Sequence, residues 1–189
     1  MLLSHTNPQV SLRALQVLSD VCALSEDKFS IQMLKHGFLD WITNPDLPQQ
    51  LAHQSIFCLS NIVADKNPDV LKTLIESNIY PNFLIPKLTQ VFSAGVIDVD
   101  LAFCIGNSFL KADFDQVKYF VDCRILDLLV LMLKSSDFRI VLITLTAIKR
   151  ILGKTKRALK MQTQLGLNHC GIIFTEFERL GGLDILEQL

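Results

Sequence analysis

The apolar residues of this chain recur with the spacing of helices rather than strands. The segment 70–75 is typical, because its apolar residues lie three and four positions apart and would share one face of a helix. No stretch keeps the period-two alternation expected of a half-buried strand. Pro81 and Pro86 each lie at or just inside a predicted helix start, where proline is tolerated. The pattern predicts an all-α fold.

An internal repeat organises these helices. Three segments of 22 residues align without a gap: LSDVCALSEDKFSIQMLKHGFL, LSNIVADKNPDVLKTLIESNIY and IGNSFLKADFDQVKYFVDCRIL. Asp20, Asn61 and Asn107 share one column of this alignment and are 41 and 46 residues apart. A weaker fourth copy places Arg150 in the same column, 43 residues further on. Periods of about 40–47 residues are typical of armadillo and HEAT repeats, whose units stack into a superhelix.

Each repeat is expected to open with a polar stretch and to end with its longest helix. These last helices are predicted to end near Ala23, Ala64, Leu110 and Gly153. Second helices are predicted at Leu84–Val91 and Ile125–Leu133. We interpret the chain as one right-handed superhelical armadillo-repeat solenoid over residues 1–189. Its predicted repeats are about 1–24, 25–65, 66–111, 112–153 and a short terminal repeat at 167–189.

Two of the predicted last helices carry an aromatic residue and an asparagine four positions apart. These pairs are Phe57 with Asn61 and Phe103 with Asn107, each on one helix face. An asparagine amide can hold an extended peptide backbone through paired donor and acceptor bonds. An aromatic ring can stack on the alkyl stem of a lysine or arginine and face its charge. The alternative is that the phenylalanines are core residues and the asparagines make buried bonds between helices.

The paired motifs resemble the W-x-x-x-N motif of importin-α, the nuclear-import adaptor family. The segments LLSHTNPQV, IESNIYPNFL, QVKYFVDCRILDLLVLML, SDFRIVLITLTAIKRILG and NHCGIIFTEFERLGGLDILEQL resemble successive parts of that family in the same order. The resemblance covers nearly the whole chain. It implies repeats six to ten of an importin-α, which carry the minor binding site for nuclear localisation signals.

The resemblance also assigns roles to single residues. The two asparagines would clamp the backbone of the signal peptide, and the two phenylalanines would stack on its basic side chains. One turn earlier the family has a glutamate that meets a lysine or arginine. Asp100 keeps that charge, whereas Gln54 loses it. Phenylalanine in place of tryptophan weakens the stacking, by an estimated several tenths of a kcal/mol at each pair.

The resemblance implies partners at both ends of the import cycle. Basic signal peptides of cargo proteins would bind the groove, and the last repeats would bind the export receptor that returns the adaptor to the cytoplasm. Nothing in the chain resembles the basic segment that recruits importin-β, so importin-β is expected only if a further amino-terminal segment exists. The first repeat also has no aromatic–asparagine pair. The rival interpretation is an armadillo scaffold or decoy that no longer binds signal peptides.

Composition narrows the remaining function classes. The net charge of −1 argues against a dedicated nucleic-acid-binding protein, which needs a basic face. The five cysteines are scattered and predict reduced thiols in the cytoplasm or nucleus, between which an importin-α would shuttle. The longest apolar run, Ile125–Leu133, is too short for a membrane span, and the first residues lack the pattern of a signal peptide.

Two further features carry candidate chemistry. The stretch Lys149–Lys160 holds six basic residues and no acid, and fits a helix end followed by a solvated loop, an export-receptor contact or a site for an anionic partner. Cys170 adjoins His169, but adjacent residues of a helix point in different directions and make a poor catalytic pair. The histidines lack metal-ligand spacing. We expect no enzyme, metal or cofactor.

Overall fold

The structure is a computed structural model that describes residues 2–24, 29–96, 98–160 and 164–188, without the side chains of Leu2 and residues 159–170. Within these ranges it contains helices and no strand, which confirms the all-α prediction. The α-helices are α1 (Pro8–Leu24), α2 (Phe29–Lys35), α3 (Phe38–Ile42), α4 (Gln49–Val63), α5 (Pro68–Glu76), α6 (Ile85–Ser93), α7 (Val99–Ser108), α8 (Phe114–Asp122), α9 (Ile125–Leu133), α10 (Phe138–Lys160), α11 (Gln164–Arg179) and α12 (Gly182–Gln188). A 3₁₀ turn spans Leu2–Ser4, and a π-helical segment spans Tyr80–Leu84.

The chain forms two compact units, Met1–Leu84 and Ile85–Leu189. In the first unit, α1 packs mainly against α4, and α2 packs against α5. In the second, α10 is the central helix and packs against α7, α9 and α11. The repeat limits read from the sequence stay a prediction, and the division at residue 84 falls inside the expected 66–111 repeat.

Each unit encloses apolar side chains at the helical spacing seen in the sequence. Leu15 of α1 and Leu59 and Ile62 of α4 are fully buried in the first unit. In the second unit, Leu129 of α9 and Ile140 of α10 are fully buried. Removing such side chains from water is the main source of stability for helices that are otherwise too short to persist alone.

Polar residues between the apolar runs start the helices, as the sequence predicts. Asn67 precedes Pro68 and accepts a 3.0 Å hydrogen bond from the Asp69 backbone N–H at the start of α5. Asp113 and Gln116 form a capping box on α8, in which each side chain accepts a hydrogen bond from the other residue's backbone N–H. The corresponding polar stretch before α2, residues 25–28, lies outside the described residues.

The backbone accommodates Pro81 and Pro86 through a local widening of the helical turn. The π-helical Tyr80–Leu84 runs directly into α6, and Pro86 is the second residue of that helix. Proline has no N–H to donate, and its ring crowds the carbonyl four residues earlier. A wider turn before Pro86 relieves this crowding.

The end of α10 differs from the sequence expectation. The helix was expected to stop near Gly153, with a loop after it, but it continues to Lys160. A glycine within a helix costs only about 1 kcal/mol relative to alanine, so it does not force an end. Thr155 in this extension and Ile151 just before Gly153 are both buried, and the Thr155 hydroxyl donates a 2.8 Å hydrogen bond to the Ile151 carbonyl. This packing compensates for the glycine.

Candidate functional site

The first predicted pair lies on the last turns of α4. Gln54, Phe57 and Asn61 follow one another at intervals of three and four residues and therefore share a helix face. The Phe57 side chain is 39% exposed, which is unusual for a phenylalanine beside a core. Gln54 and Asn61 are half-buried. The exposed ring favours a contact surface over a core role for Phe57.

Asn61 also joins two helices. Its side-chain Nδ2 donates a 3.0 Å hydrogen bond to Ser19 Oγ of α1 and a longer one, 3.4 Å, to the Ser19 carbonyl. Ser19 is fully buried. The interhelix bond that we weighed as the alternative role of this asparagine is therefore present. It uses the amide nitrogen and fixes the orientation of the side chain.

This bond adds a residue that the sequence reasoning did not include in the site. Asp20 follows Ser19 on α1 and is exposed. It shares the alignment column of Asn61, which was the signal available in the sequence. Asp20 adds an exposed carboxylate to α1, directly after the residue that Asn61 contacts. Gln54 does not supply one.

The second pair lies on α7 in the second unit. Asp100, Phe103 and Asn107 again recur at intervals of three and four residues, and all three are half-buried. Between the pair stands Gly106, where an added Cβ would overlap Ile143 Cγ1 of α10. The absence of a side chain at Gly106 allows α10 to approach α7 closely. This close packing fixes the helix that carries the pair.

The charge on Asp100 acts on two neighbours. The pKa of the Cys104 thiol is well above its ordinary value, first because it is fully buried and second because of the Asp100 and Asp98 carboxylates. The pKa of Arg139 is raised mainly by its hydrogen bond and charge interaction with Asp137, with a smaller contribution from Asp100. Arg139 is paired with Asp137, and Asp100 adds only a weaker, more distant attraction to it.

The basic stretch 149–160 lies largely on the solvent-exposed side of α10. Lys149, Arg150, Lys156 and Arg157 are exposed and Lys154 is half-buried, so these five cations cover one broad side of the helix. Arg150 occupies the alignment column of Asn61 and Asn107. The fourth repeat thus presents a positive charge where the second and third present an amide and the first presents a carboxylate.

The cysteines whose side chains the structure describes are free thiols. Cys22, Cys58 and Cys104 are buried free thiols, and Cys123 is a half-buried one. The described residues contain no group of histidine, cysteine and acidic side chains that could hold a metal ion. The side chains of His169 and Cys170 lie outside the described residues. Among the described helices, none is long and apolar enough to cross a bilayer.

Comparison with solved structures establishes the fold class. The structure matches a designed armadillo repeat protein made for modular peptide recognition, with a TM-score of 0.72 and 17% identity, over 100% of this chain and 71% of that one. It matches an engineered protein with a TM-score of 0.71 and 18% identity, over 100% of this chain and 41% of the other. A third match is a designed armadillo repeat protein in complex with peptide (KR)4, with a TM-score of 0.63 and 15% identity.

The armadillo-repeat fold predicted from the sequence period is thereby confirmed. At these identities the likeness extends to the fold alone. No protein-family model matches the chain, and no curated protein matches it.

Proposed function

We propose that the chain is a peptide-binding armadillo module that holds extended, basic segments of other proteins through its phenylalanine–asparagine pairs. The main support for this proposal is that Phe57 is 39% exposed and lies one turn before Asn61. The Asn61 amide is held in place by its hydrogen bond to Ser19. A fixed amide loses little conformational entropy when it binds a peptide backbone. The exposed ring supplies a face for an arginine or lysine stem.

Charge supports a basic rather than an acidic peptide in this site. Asp100 lies one turn before Phe103 of the second pair, and Asp20 directly follows Ser19, the residue that Asn61 contacts. The structural match to a designed armadillo protein in complex with (KR)4 is consistent with this chemistry. Electrostatic attraction of this kind raises the association rate and weakens with salt.

The resemblance to importin-α extends the proposal. We propose that the basic segments are nuclear localisation signals, that the chain is an import adaptor or part of one, and that it shuttles between cytoplasm and nucleus. The carboxy-terminal repeats would bind the export receptor. No enzymatic activity is part of this proposal.

The proposal is tested with a fluorescein-labelled (Lys-Arg)₄ peptide and anisotropy. We expect saturable binding that weakens as salt is added, and loss of binding in the Asn61→Ala/Asn107→Ala double variant. An uncharged (Ser-Gly)₄ peptide should not bind. Undiminished affinity in the double variant would refute the proposed site.

A matched variant separates the two roles of Asn61. Ser19→Ala removes the 3.0 Å interhelix hydrogen bond to Ser19 Oγ but keeps the Asn61 side chain. Both Ser19→Ala and Asn61→Ala should lower the free energy of unfolding, each by about 0.5–1.5 kcal/mol. Asn61→Ala should abolish the peptide contact, whereas Ser19→Ala, which only frees the amide, should weaken peptide binding less. Equal losses of affinity in the two variants would assign Asn61 to structure alone.

A second candidate function is an armadillo scaffold that does not bind signal peptides. It is favoured by Arg150, whose positive charge in the alignment column of Asn61 and Asn107 would repel a basic peptide. This candidate predicts that the export receptor is retained by the immobilised chain while the (Lys-Arg)₄ peptide is not.

A further inference from the structure

Helix α10 carries an exposed ridge that the proposed peptide site does not use. Phe138 and Leu142 are 75% and 62% exposed, and Lys149, Gly153 and Lys156 continue the same line. The successive spacings of four, seven, four and three residues keep all five positions on one helix face. At 1.5 Å per residue this face is roughly 27 Å long. We call these five positions the α10 ridge.

The two halves of the ridge differ in chemistry. Its amino-terminal half presents two large apolar side chains to solvent. Its carboxy-terminal half is flanked by Arg150 and Arg157, which are also exposed. No acidic residue occurs anywhere between Phe138 and Lys160. The ridge therefore changes from apolar to strongly basic along its length.

The basic half is not neutralised within the described part of the chain. Lys149, Arg150, Lys154, Lys156 and Arg157 make no hydrogen bond or ion pair with another described side chain. Like charges this close repel one another. An acidic partner would relieve that repulsion.

The helix dipole does not explain the cluster. Favourable interaction of cations with a helix end is confined to about the last turn. Because α10 continues to Lys160, Lys149 and Arg150 lie more than two turns before its end. The continuation of the helix thus removes the simplest structural reason for these charges.

The apolar half of the α10 ridge favours an acidic protein segment over a nucleic acid as the anionic partner. A nucleic acid would use the cations and would stack its bases on aromatic side chains placed among them. No phenylalanine, tyrosine or tryptophan occurs from residue 149 to residue 160. Phe138 and Leu142 instead offer the kind of apolar contact that anchors a protein segment.

We propose that the α10 ridge is a docking surface for an acidic protein segment that carries large apolar side chains at one end. Its carboxylates pair with the cations from Lys149 to Arg157, and its apolar residues cover Phe138 and Leu142. This surface uses none of the residues of the phenylalanine–asparagine pairs and takes a ligand of the opposite charge.

The test uses a fluorescein-labelled peptide that carries two leucines followed by a run of glutamates. We expect saturable binding that weakens with salt, because the cations contribute through charge. Lys149→Glu/Lys156→Glu/Arg157→Glu should weaken binding by about tenfold or more. Leu142→Ser should weaken it severalfold without changing the salt dependence.

The matched control is Lys35→Glu/Lys66→Glu/Lys134→Glu, which changes the net charge equally at exposed lysines outside the ridge. This control, and the Asn61→Ala/Asn107→Ala variant, should bind the acidic peptide like the unmodified protein. Circular dichroism should show the same helix content in all variants, because the substituted residues are exposed or, for Asn61 and Asn107, half-buried.

Three results would overturn the proposal. The acidic peptide could fail to bind, or it could bind the ridge variant and the control variant equally. A single-stranded oligonucleotide of equal charge could bind more tightly than the peptide and be unaffected by Leu142→Ser. That last result would make the ridge a nucleic-acid contact instead.

Discussion

At the scale of single residues, Asn61 combines a structural and a proposed binding role. Its amide nitrogen contacts Ser19 across two helices, so the side chain is oriented before any peptide arrives. Phe57, one turn earlier, is exposed and makes the other half of the surface. The hydrogen bond and the exposed ring therefore respond to different substitutions.

Substitution of Phe57 tests the proposed stacking contribution. Phe57→Ala should reduce affinity for the (Lys-Arg)₄ peptide about two- to fivefold, from the roughly 0.5–1 kcal/mol of an exposed cation–π contact. Phe57→Trp should increase affinity, because tryptophan is the best cation–π partner. Anisotropy titration measures both. An unchanged affinity in both variants would show that the ring does not contact the peptide.

At the scale of helices, Gly106 of α7 is tightly packed, whereas Gly153 of α10 is open to solvent. A Cβ at Gly106 would overlap Ile143, whereas a Cβ at Gly153 would meet nothing within 4 Å. The first glycine is required for helix packing, and the second only lowers helix propensity. The same substitution should therefore have opposite effects at the two positions.

Gly106→Ala should lower the free energy of unfolding by about 1–3 kcal/mol through overpacking. Gly153→Ala should raise it, by up to about 1 kcal/mol, through helix propensity. Urea denaturation measures both changes. Ile143→Ala should rescue part of the loss in Gly106→Ala, and purely additive effects of the two substitutions would contradict direct contact.

The start of α10 depends on pH through Asp137. Its pKa is held below the ordinary value, chiefly by hydrogen bonds that its carboxylate accepts from the Arg139 side chain. A lowered pKa in the folded state stabilises the fold above the unfolded carboxyl pKa of about 3.9. That contribution is lost as pH falls through the lowered folded value.

Asp137→Asn isolates this charge, because asparagine also caps helices well. We expect a lower thermal midpoint than the unmodified protein at neutral pH and a shrinking difference below about pH 4. Thermal melts followed by circular dichroism across this range measure the effect. A difference that is constant with pH would contradict the role of the Asp137–Arg139 pair.

Much of the helical layout was predictable because its causes are local. Helix α9 has the predicted bounds Ile125–Leu133, and the polar residues before α5 and α8 cap their helices. The end of α10 was not predictable from Gly153, since the compensating burial of Ile151 and Thr155 is a tertiary effect. The same reason hid the Ser19 contact of Asn61.

At the scale of the whole molecule, the repeat period led to the correct fold class. Spacings of 41 and 46 residues between equivalent positions predicted armadillo repeats, and a TM-score of 0.72 to a designed armadillo protein agrees. The repeat period says less about what the chain binds. The chain holds Asp100 one turn before Phe103, Asp20 directly after the residue that Asn61 contacts, and a basic ridge on α10, so we expect ligands of opposite charge at different sites.

The proposed role of the two asparagines is tested most directly by their own side-chain amide signals in nitrogen-15 NMR spectra. On addition of the (Lys-Arg)₄ peptide, the Nδ2 signals of Asn61 and Asn107 should shift progressively and saturate together. The signals of Asn44 and Asn67, whose side chains cap local turns, should not move. If the Asn61 and Asn107 signals do not shift at saturating peptide, these two asparagines do not bind the peptide.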